Sequence, residues 1–553
     1  MQNHDETMRS GSRLLVDALL VNGVKRAFCV PGESFLAVID SLSDVSEKLH
    51  LVVCRHEANA ANMATAHGKL TGQPGICFVT RGPGASHGAI GVHTAAQDSA
   101  PMIMFIGQVE RSARERGAFQ EVDYVQMFGK VAKWVAEIDD AARIPELVSR
   151  AFHVAVNGRP GPVVLALPED MLVDQAPAQP LIPYRLAESA PSAQALESLR
   201  EMLGRARKPL LVLGGGGWTP QAFGDVQAFA ERHAVPVANG FRCQDTFDNR
   251  HPNYVGELGL GTSPALTRYV ADSDLIIALG ERLGEATTKG YELLPVPRLR
   301  QPFIQVHPEP QELGRVYQGD LLIAATMPAC AQALRALPAP DPDEIRLQRL
   351  VAGREAYEAH ARPPVLPDAR LNIAAIVRGL SDRLPKDAIV TNGAGNYAGY
   401  VSRYHQFSSV RTQLAPVSGS MAFGLPAAIA AQMEHPDRTV VCYAGDCCLL
   451  MSSPDLMTVV QYRLPILILV INNSSYGSIR LHQERRYPGR VYATDVENPD
   501  FAALARAYGL QAASVETTQD FETEFARLSK DRLPTLIEIR TDTAAMIANN
   551  PRR

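Results

Sequence analysis

Two polar residues at the ends of apolar runs carry the first chemical signal. The run from Thr439 to Tyr443 leads into Ala444, Gly445 and Asp446, and a second run, Ile466 to Ile471, ends in Asn472 and Asn473. A helix-period segment lies between them, so the stretch reads as strand, helix, strand with a polar tip on each strand. In a parallel α/β sheet both tips fall at the carboxyl edge, where ligands bind. A carboxylate from Asp446 and a side-chain carbonyl from Asn473 are hard oxygen ligands. They suit Mg²⁺, which keeps few protein ligands and takes phosphate oxygens for the rest. The pair points to a metal-bridged phosphate site.

The elements that must position this pair repeat along the chain. Residues 12–170 alternate apolar strands (AFCVPG, LVVCRHE, GICFVTRGPG, PMIMFIGQV, GPVVLALP) with helical segments, the pattern of a doubly wound parallel sheet. A Pro-rich stretch, Ala176 to Tyr184, reads as a linker. The alternation resumes with KPLLVLGGGGW, DSDLIIALG and PFIQVHPEP, and again after a second Pro-rich region, LPAPDPDE to ARPPVLP. Four glycines after Leu213 could cradle a phosphate at a helix N-terminus, but they do not fit the spaced dinucleotide fingerprint, and a tight strand-to-helix turn is the preferred reading. The expected architecture is α/β, with three doubly wound parallel-sheet domains over residues 1–172, 190–340 and 366–545.

Composition limits the function classes. The 553 residues are enough for three domains of ordinary size. A 46% hydrophobic fraction, 20% charged residues and a net charge of −5 describe a globular chain without a basic stripe, so no nucleic-acid partner is expected. No apolar run reaches the roughly 18 residues that span a bilayer, and the start MQNHDETMRSGSR lacks a signal core, which predicts a cytoplasmic protein with no membrane partner. Several of the eight cysteines (Cys29, Cys54, Cys77, Cys442) fall inside apolar strands and read as small buried hydrophobes. The adjacent Cys447 and Cys448 lack metal-ligand spacing.

Gly445-Asp446 followed by Asn472-Asn473 resembles the thiamine diphosphate (ThDP) motif of the acetolactate synthase and pyruvate decarboxylase superfamily. The family usually shows Gly-Asp-Gly, and Cys447 stands at the third position here. The resemblance covers nearly the whole chain and implies three domains, of which the first holds the aminopyrimidine and the third the diphosphate. It implies a homodimer or homotetramer with active sites between subunits. It also implies a metal set of Asp446, Asn473 and the Ser475 carbonyl, with Tyr476 and Gly477 in a turn that closes over the site. TNGAGNYAGY, with Gly395, Asn396 and Tyr397 in a turn after strand AIVT, is similar to the phosphate loop. Gly445, Asp446, Cys447 and Cys448 complete the cofactor-binding segment.

The chemistry requires one carboxyl group at N1′ of the pyrimidine, where it favours the tautomer whose 4′-nitrogen removes the thiazolium C2 proton. Glu57, in CRHEANAANMA, resembles that activating glutamate; taken alone it would read as a helix-capping acid. Met421, 25 residues before Asp446, matches the bulky wedge that bends the cofactor, with backbone near Gly419 and Met421 holding the aminopyrimidine. A methionine in an apolar segment is otherwise core filler.

GPGASHGAIGVHTAAQDSAPMIMFIGQV, and AFQE with Phe119 and Gln120, look most like acetolactate synthase. Three positions depart from it. Glu33 stands in VPGES where the synthases show Pro-Gly-Gly, and related decarboxylases carry an acid there for proton transfer; its other reading is a surface cap on the helix SFLAVIDSL. Ala286 replaces the substrate-binding arginine, and losing a bidentate carboxylate clamp is not conservative. His482 replaces the tryptophan that selects the second substrate. The acidic strand end of the synthases' flavin contacts is replaced by QVHPEP around His307, so FAD is less expected than its absence.

The reading is thus a ThDP- and Mg²⁺-dependent carboligase or lyase acting on 2-oxo acids through a C2 carbanion and enamine, with acetolactate formation as first choice. Decarboxylation or aldehyde cleavage without acetolactate synthesis is the alternative, and a flavin-dependent oxidase of the pyruvate oxidase type a further one. A non-catalytic scaffold of the same fold would not need Glu57, Asp446 and Asn473.

Overall fold

The computed structural model describes residues 7–338, 343–365 and 371–542; the edges of the expected linkers and domains that fall at 1–6, 339–342, 366–370 and 543–553 lie outside the described residues. In chain order the strands are β1 (Met8–Ser10), β2 (Arg26–Cys29), β3 (His50–Val53), β4 (Gly75–Val79), β5 (Met102–Gln108), β6 (Trp134–Glu137), β7 (Pro162–Pro168) and β8 (Gln175–Pro177). Then come β9 (Pro209–Leu213), β10 (Val237–Asn239), β11 (Tyr254–Glu257), β12 (Leu275–Leu279), β13 (Phe303–His307) and β14 (Leu321–Ala324). The last group is β15 (Ile389–Asn392), β16 (Gln413–Leu414), β17 (Val440–Gly445), β18 (Leu467–Asn472), β19 (Gln511–Val515) and β20 (Thr535–Arg540).

Among the described residues these form three six-stranded parallel sheets, ordered β3-β2-β4-β5-β7-β6, β11-β10-β9-β12-β13-β14 and β16-β15-β17-β18-β20-β19. Strands covered on both faces should read as unbroken apolar runs. β5, β7, β9 and β12 do so and are buried at every residue. The expected linker at 176–184 begins inside a strand instead, because β8 pairs antiparallel with β1. β6 was missed: WVAE is short and half-buried, with little apolar pattern to announce it.

The chain packs as two compact units. One holds the N-terminal sheet up to Ala187 together with Ile429–Glu434 and Ser452–Tyr462. Within it the Asp455 carboxylate accepts the Arg55 N–H at 3.0 Å and the Asn59 side chain at 2.6 Å, and Tyr462 Oη accepts the Val53 N–H at 3.0 Å. The other unit starts at Glu188 and carries the two remaining sheets. Among the described residues no helix is long and apolar enough to cross a membrane.

Candidate cofactor site

β17 and β18 are adjacent and parallel, pairing Gly445 with Ile471, so Asp446 and Asn473 both fall just beyond the carboxyl edge. The segment between them is not one helix. It breaks into Asp446–Leu450, a 3₁₀ turn at Ser453–Asp455 and Leu456–Gln461, because Pro454 cannot continue the first helix.

A cavity of about 240 Å³ opens at this edge. It is lined by Gly395, Asn396, Tyr397, Gly419, Met421, Gly445, Asp446, Cys447, Cys448, Asn473, Ser475, Tyr476 and Gly477, and further by Ala394, Tyr400, Ile471, Ser478, Ile479 and Thr541. The first thirteen are the cofactor-segment residues read from the sequence of this half of the chain. Asn396 and Tyr397 sit in the first turn of the helix Asn396–Tyr404 rather than in a loop, with Gly395 as its N-cap. That helix and Gly477–Arg486 both begin without a side-chain cap, leaving N–H groups at a partly positive helix end for an anion.

Asp446 is only 4% exposed. Its Oδ1 accepts the Cys447 N–H at 2.8 Å, and its Oδ2 accepts Asn498 Nδ2 at 2.8 Å. The same Asn498 amide donates to Asn472 Oδ1 at 2.9 Å, while Asn472 Nδ2 donates to Glu538 at 2.7 Å. Asn473 Oδ1 accepts the Ser475 N–H at 3.2 Å. The Ser475 carbonyl accepts the Gly477 N–H at 2.8 Å, which leaves its second lone pair for a cation.

Cys448 ties the cavity walls together. Its Sγ accepts the Ala422 N–H at 3.1 Å, beside Met421, and the Tyr397 hydroxyl at 3.3 Å; that hydroxyl in turn accepts the Gly393 N–H at 3.0 Å. A Cβ on Gly393 would lie 2.5 Å from this sulfur, so the approach needs glycine. Burial, reinforced by Cys448, pushes the Tyr397 phenol well above its usual range, which keeps it a donor. Burial, with Asp446 beside it, pushes the Cys447 thiol up to about 11.

The remaining expected residues are not among those that line this cavity. Glu57 opens the helix Glu57–Thr71 in the first unit, its side chain 14% exposed, with Oε2 2.9 Å from His87 Nδ1. His56 caps the same helix by accepting the Ala58 N–H, and its ring lies 4.9 Å from that of His87. Glu33 is exposed at the head of the 3₁₀ turn Glu33–Phe35. Gln120 has φ +65°, facing Gly82, where a Cβ would come within 2.9 Å of the Gln120 Cβ. His482 is exposed on the helix Gly477–Arg486 and does not line the cavity. It shares a helix face with the lining residues Ser478 and Ile479 but stands a full turn further along the helix, away from the end that borders the cavity.

Three thiamine pyrophosphate enzyme models match the chain: the N-terminal TPP-binding domain over residues 9–127, the central domain over 196–336 and the C-terminal TPP-binding domain over 393–539. An acetolactate synthase large subunit of Parasynechococcus marenigrum is 31% identical over 548 residues, covering 96% of this chain and 87% of that protein. The chain belongs to the ThDP-dependent, acetolactate synthase-like enzymes. Two Escherichia coli relatives, the acetolactate synthase isozyme 2 and isozyme 3 large subunits, are 29% and 30% identical, with 96% and 94% of this chain and 96% and 92% of the relatives covered.

The cavity residues fit ThDP on their own chemistry. Asn396 Oδ1 accepts the Ser478 hydroxyl at 2.9 Å, yet Asn396 Nδ2 is buried without an acceptor. A phosphate oxygen is the partner such a donor needs. Asn498, which holds the Asp446 carboxylate, was not foreseen: it lies in an irregular segment with no apolar period to place it. His87 was missed as well, since nothing in its own sequence neighbourhood points to Glu57.

Proposed function

We propose that this enzyme is a ThDP- and Mg²⁺-dependent carboligase acting on 2-oxo acids, with acetolactate formation as its principal reaction. The observation that carries it is the gathering of hard oxygen donors, two uncapped helix N-termini and a buried unpaired amide donor in one cavity. When bound, ThDP supplies a carbon nucleophile and electron sink for cleaving the bond beside a carbonyl. Asp446, Asn473 and the Ser475 carbonyl would hold Mg²⁺. The helix starts at Asn396 and Gly477 would take the diphosphate. Met421 would support the bent cofactor, and backbone at Gly419 would hold its aminopyrimidine. Glu57 would hold a proton for the pyrimidine N1′, and Gln120 and Glu33 would face the substrate.

The domain limits 1–172, 190–340 and 366–545 belong to this reading. So does a homodimer or homotetramer, in which Glu57 of one subunit completes the cavity of another. Calorimetric titration of Asp446→Ala tests the metal bridge: affinity for ThDP and for Mg²⁺ should fall together, and unchanged ThDP affinity refutes the site.

Ala286 favours a second reading. It follows β12 where the resemblance expects a carboxylate-clamping arginine, so a second 2-oxo acid would be poorly held. Product analysis with pyruvate and a panel of 2-oxo acids, with and without aldehyde acceptors, decides between them. 2-Acetolactate as main product supports the first reading; free aldehyde alone supports the second.

A further inference from the structure

The central sheet changes its winding direction between β9 and β12, and doubly wound sheets take nucleotides in the crevice beyond the carboxyl ends of such a pair. This is where the flavin implied by the resemblance to acetolactate synthase would need room and N–H donors. The chain fills that place itself. Glu281 follows Gly280 at the tip of β12, and one of its carboxyl oxygens lies against Gly214 and Gly240, beyond β9 and β10. A Cβ on Gly214 would come within 2.0 Å of that oxygen, and a Cβ on Gly240 within 1.9 Å.

The side chain is pinned there. Its Oε1 accepts the Leu283 N–H at 3.0 Å and the Thr287 hydroxyl at 3.3 Å. Three strand-tip amides at this crevice are already spent: Gly214 N–H donates to the Leu279 carbonyl at 3.1 Å, Gly240 to Leu213 at 2.8 Å and Gly280 to Val306 at 2.9 Å. The Phe241 N–H donates to Thr287 Oγ1 at 3.3 Å. The tips themselves touch backbone to backbone, since a Cβ on Gly280 would meet the Gly214 carbonyl oxygen at 2.5 Å. At the end of β13, His307 is 3% exposed and its Nδ1 accepts the Glu309 N–H at 3.0 Å. Burial raises the Glu281 carboxyl above its usual range, and protonated or ionised it occupies the same space.

We infer that the central crevice is closed by the chain's own Glu281 and that this enzyme works without flavin. The residues present do not fit a dinucleotide: seating one against these strand tips requires displacing a buried, doubly hydrogen-bonded carboxyl. The flavin-oxidase alternative falls with the same observation.

The test uses the ThDP- and Mg²⁺-loaded enzyme purified from a flavin-replete host. Denatured protein should release only substoichiometric flavin, judged by absorbance and fluorescence. Titration of the folded enzyme with FAD should show no saturable fluorescence change. Release of near one flavin per chain, or saturable FAD binding, overturns the inference. Glu281→Gln keeps the side-chain volume and should exclude FAD equally; saturable binding by that variant would overturn the filling argument. ThDP affinity is measured in the same sample. Its loss would fail the proposed function and leave the flavin result standing.

Discussion

A carboxyl group that shares a proton with a ligand nitrogen must be held in place without being neutralised by a permanent cation. Glu57 meets that condition: it sits at the first turn of a helix, and its neighbour within hydrogen-bond reach is a histidine rather than an arginine or lysine. Glu57→Gln retains a hydrogen-bonding head but cannot share the proton. Turnover should therefore fall by about 10²–10⁴-fold while calorimetry still registers ThDP binding. Activity within a few-fold of the parent would remove Glu57 from the mechanism. Glu33 makes a different demand, since it is exposed at its turn. If it delivers a proton to the product, Glu33→Gln should lower aldehyde release and leave ligation to an added acceptor intact. An unchanged product ratio at an unchanged rate would make it a surface residue at the head of its turn.

At the scale of elements, the Cys448 sulfur joins three backbone segments: the turn at Gly393, the helix start at Tyr397 and the bend at Ala422 beside Met421. Tyr397→Phe removes the hydroxyl between the first two and strands the buried Gly393 N–H. Loss of a buried partner costs about 1–3 kcal/mol, so urea unfolding should shift to lower concentration and ThDP affinity should drop. A variant with parental unfolding and affinity would show that the wall needs no such tie. This network was invisible in the sequence, which shows Cys447 and Cys448 only as an unusual pair after Asp446. The sheets were legible because β5, β7, β17 and β18 are long apolar runs. The cavity was legible because Asp446 and Asn473 stand at strand ends, where topology fixes the edge they share. Side chains on irregular segments, Asn498 above all, follow no period. The pairing of β1 with β8 joins residues more than 160 apart, and local pattern carries no such information.

Over the whole molecule, buried ionisable groups set how stability responds to pH. His405, whose Nδ1 has no partner, is pushed down to about 3 by burial with Arg250 nearby, and His360 to about 4 by burial with Arg403 nearby. Glu257 is pushed the other way, to about 7, by burial against its bonds to Ser402 and the Arg242 N–H. Between these values and the ordinary 6.5 of histidine, the unfolded chain binds a proton at each site that the folded chain refuses. Stability from the histidines is thus full above 6.5 and lost progressively as pH falls from there toward their folded values of about 3 and about 4. Glu257 has the opposite sign: the folded state keeps a proton that the unfolded state releases above 4.5, so its contribution is lost as pH rises toward 7. Near pH 5.5 all three differences are almost fully developed. Proton uptake on unfolding can be read from calorimetry in buffers of different ionisation enthalpy. His405→Phe, which keeps a ring against Phe407, should lower that uptake by about one proton, and Glu257→Gln should raise it by about one. Each proton changes the slope of stability by about 1.4 kcal/mol per pH unit. Equal uptake in parent and both variants would mean that these groups titrate alike folded and unfolded, and the pH response would have to come from the surface carboxylates instead.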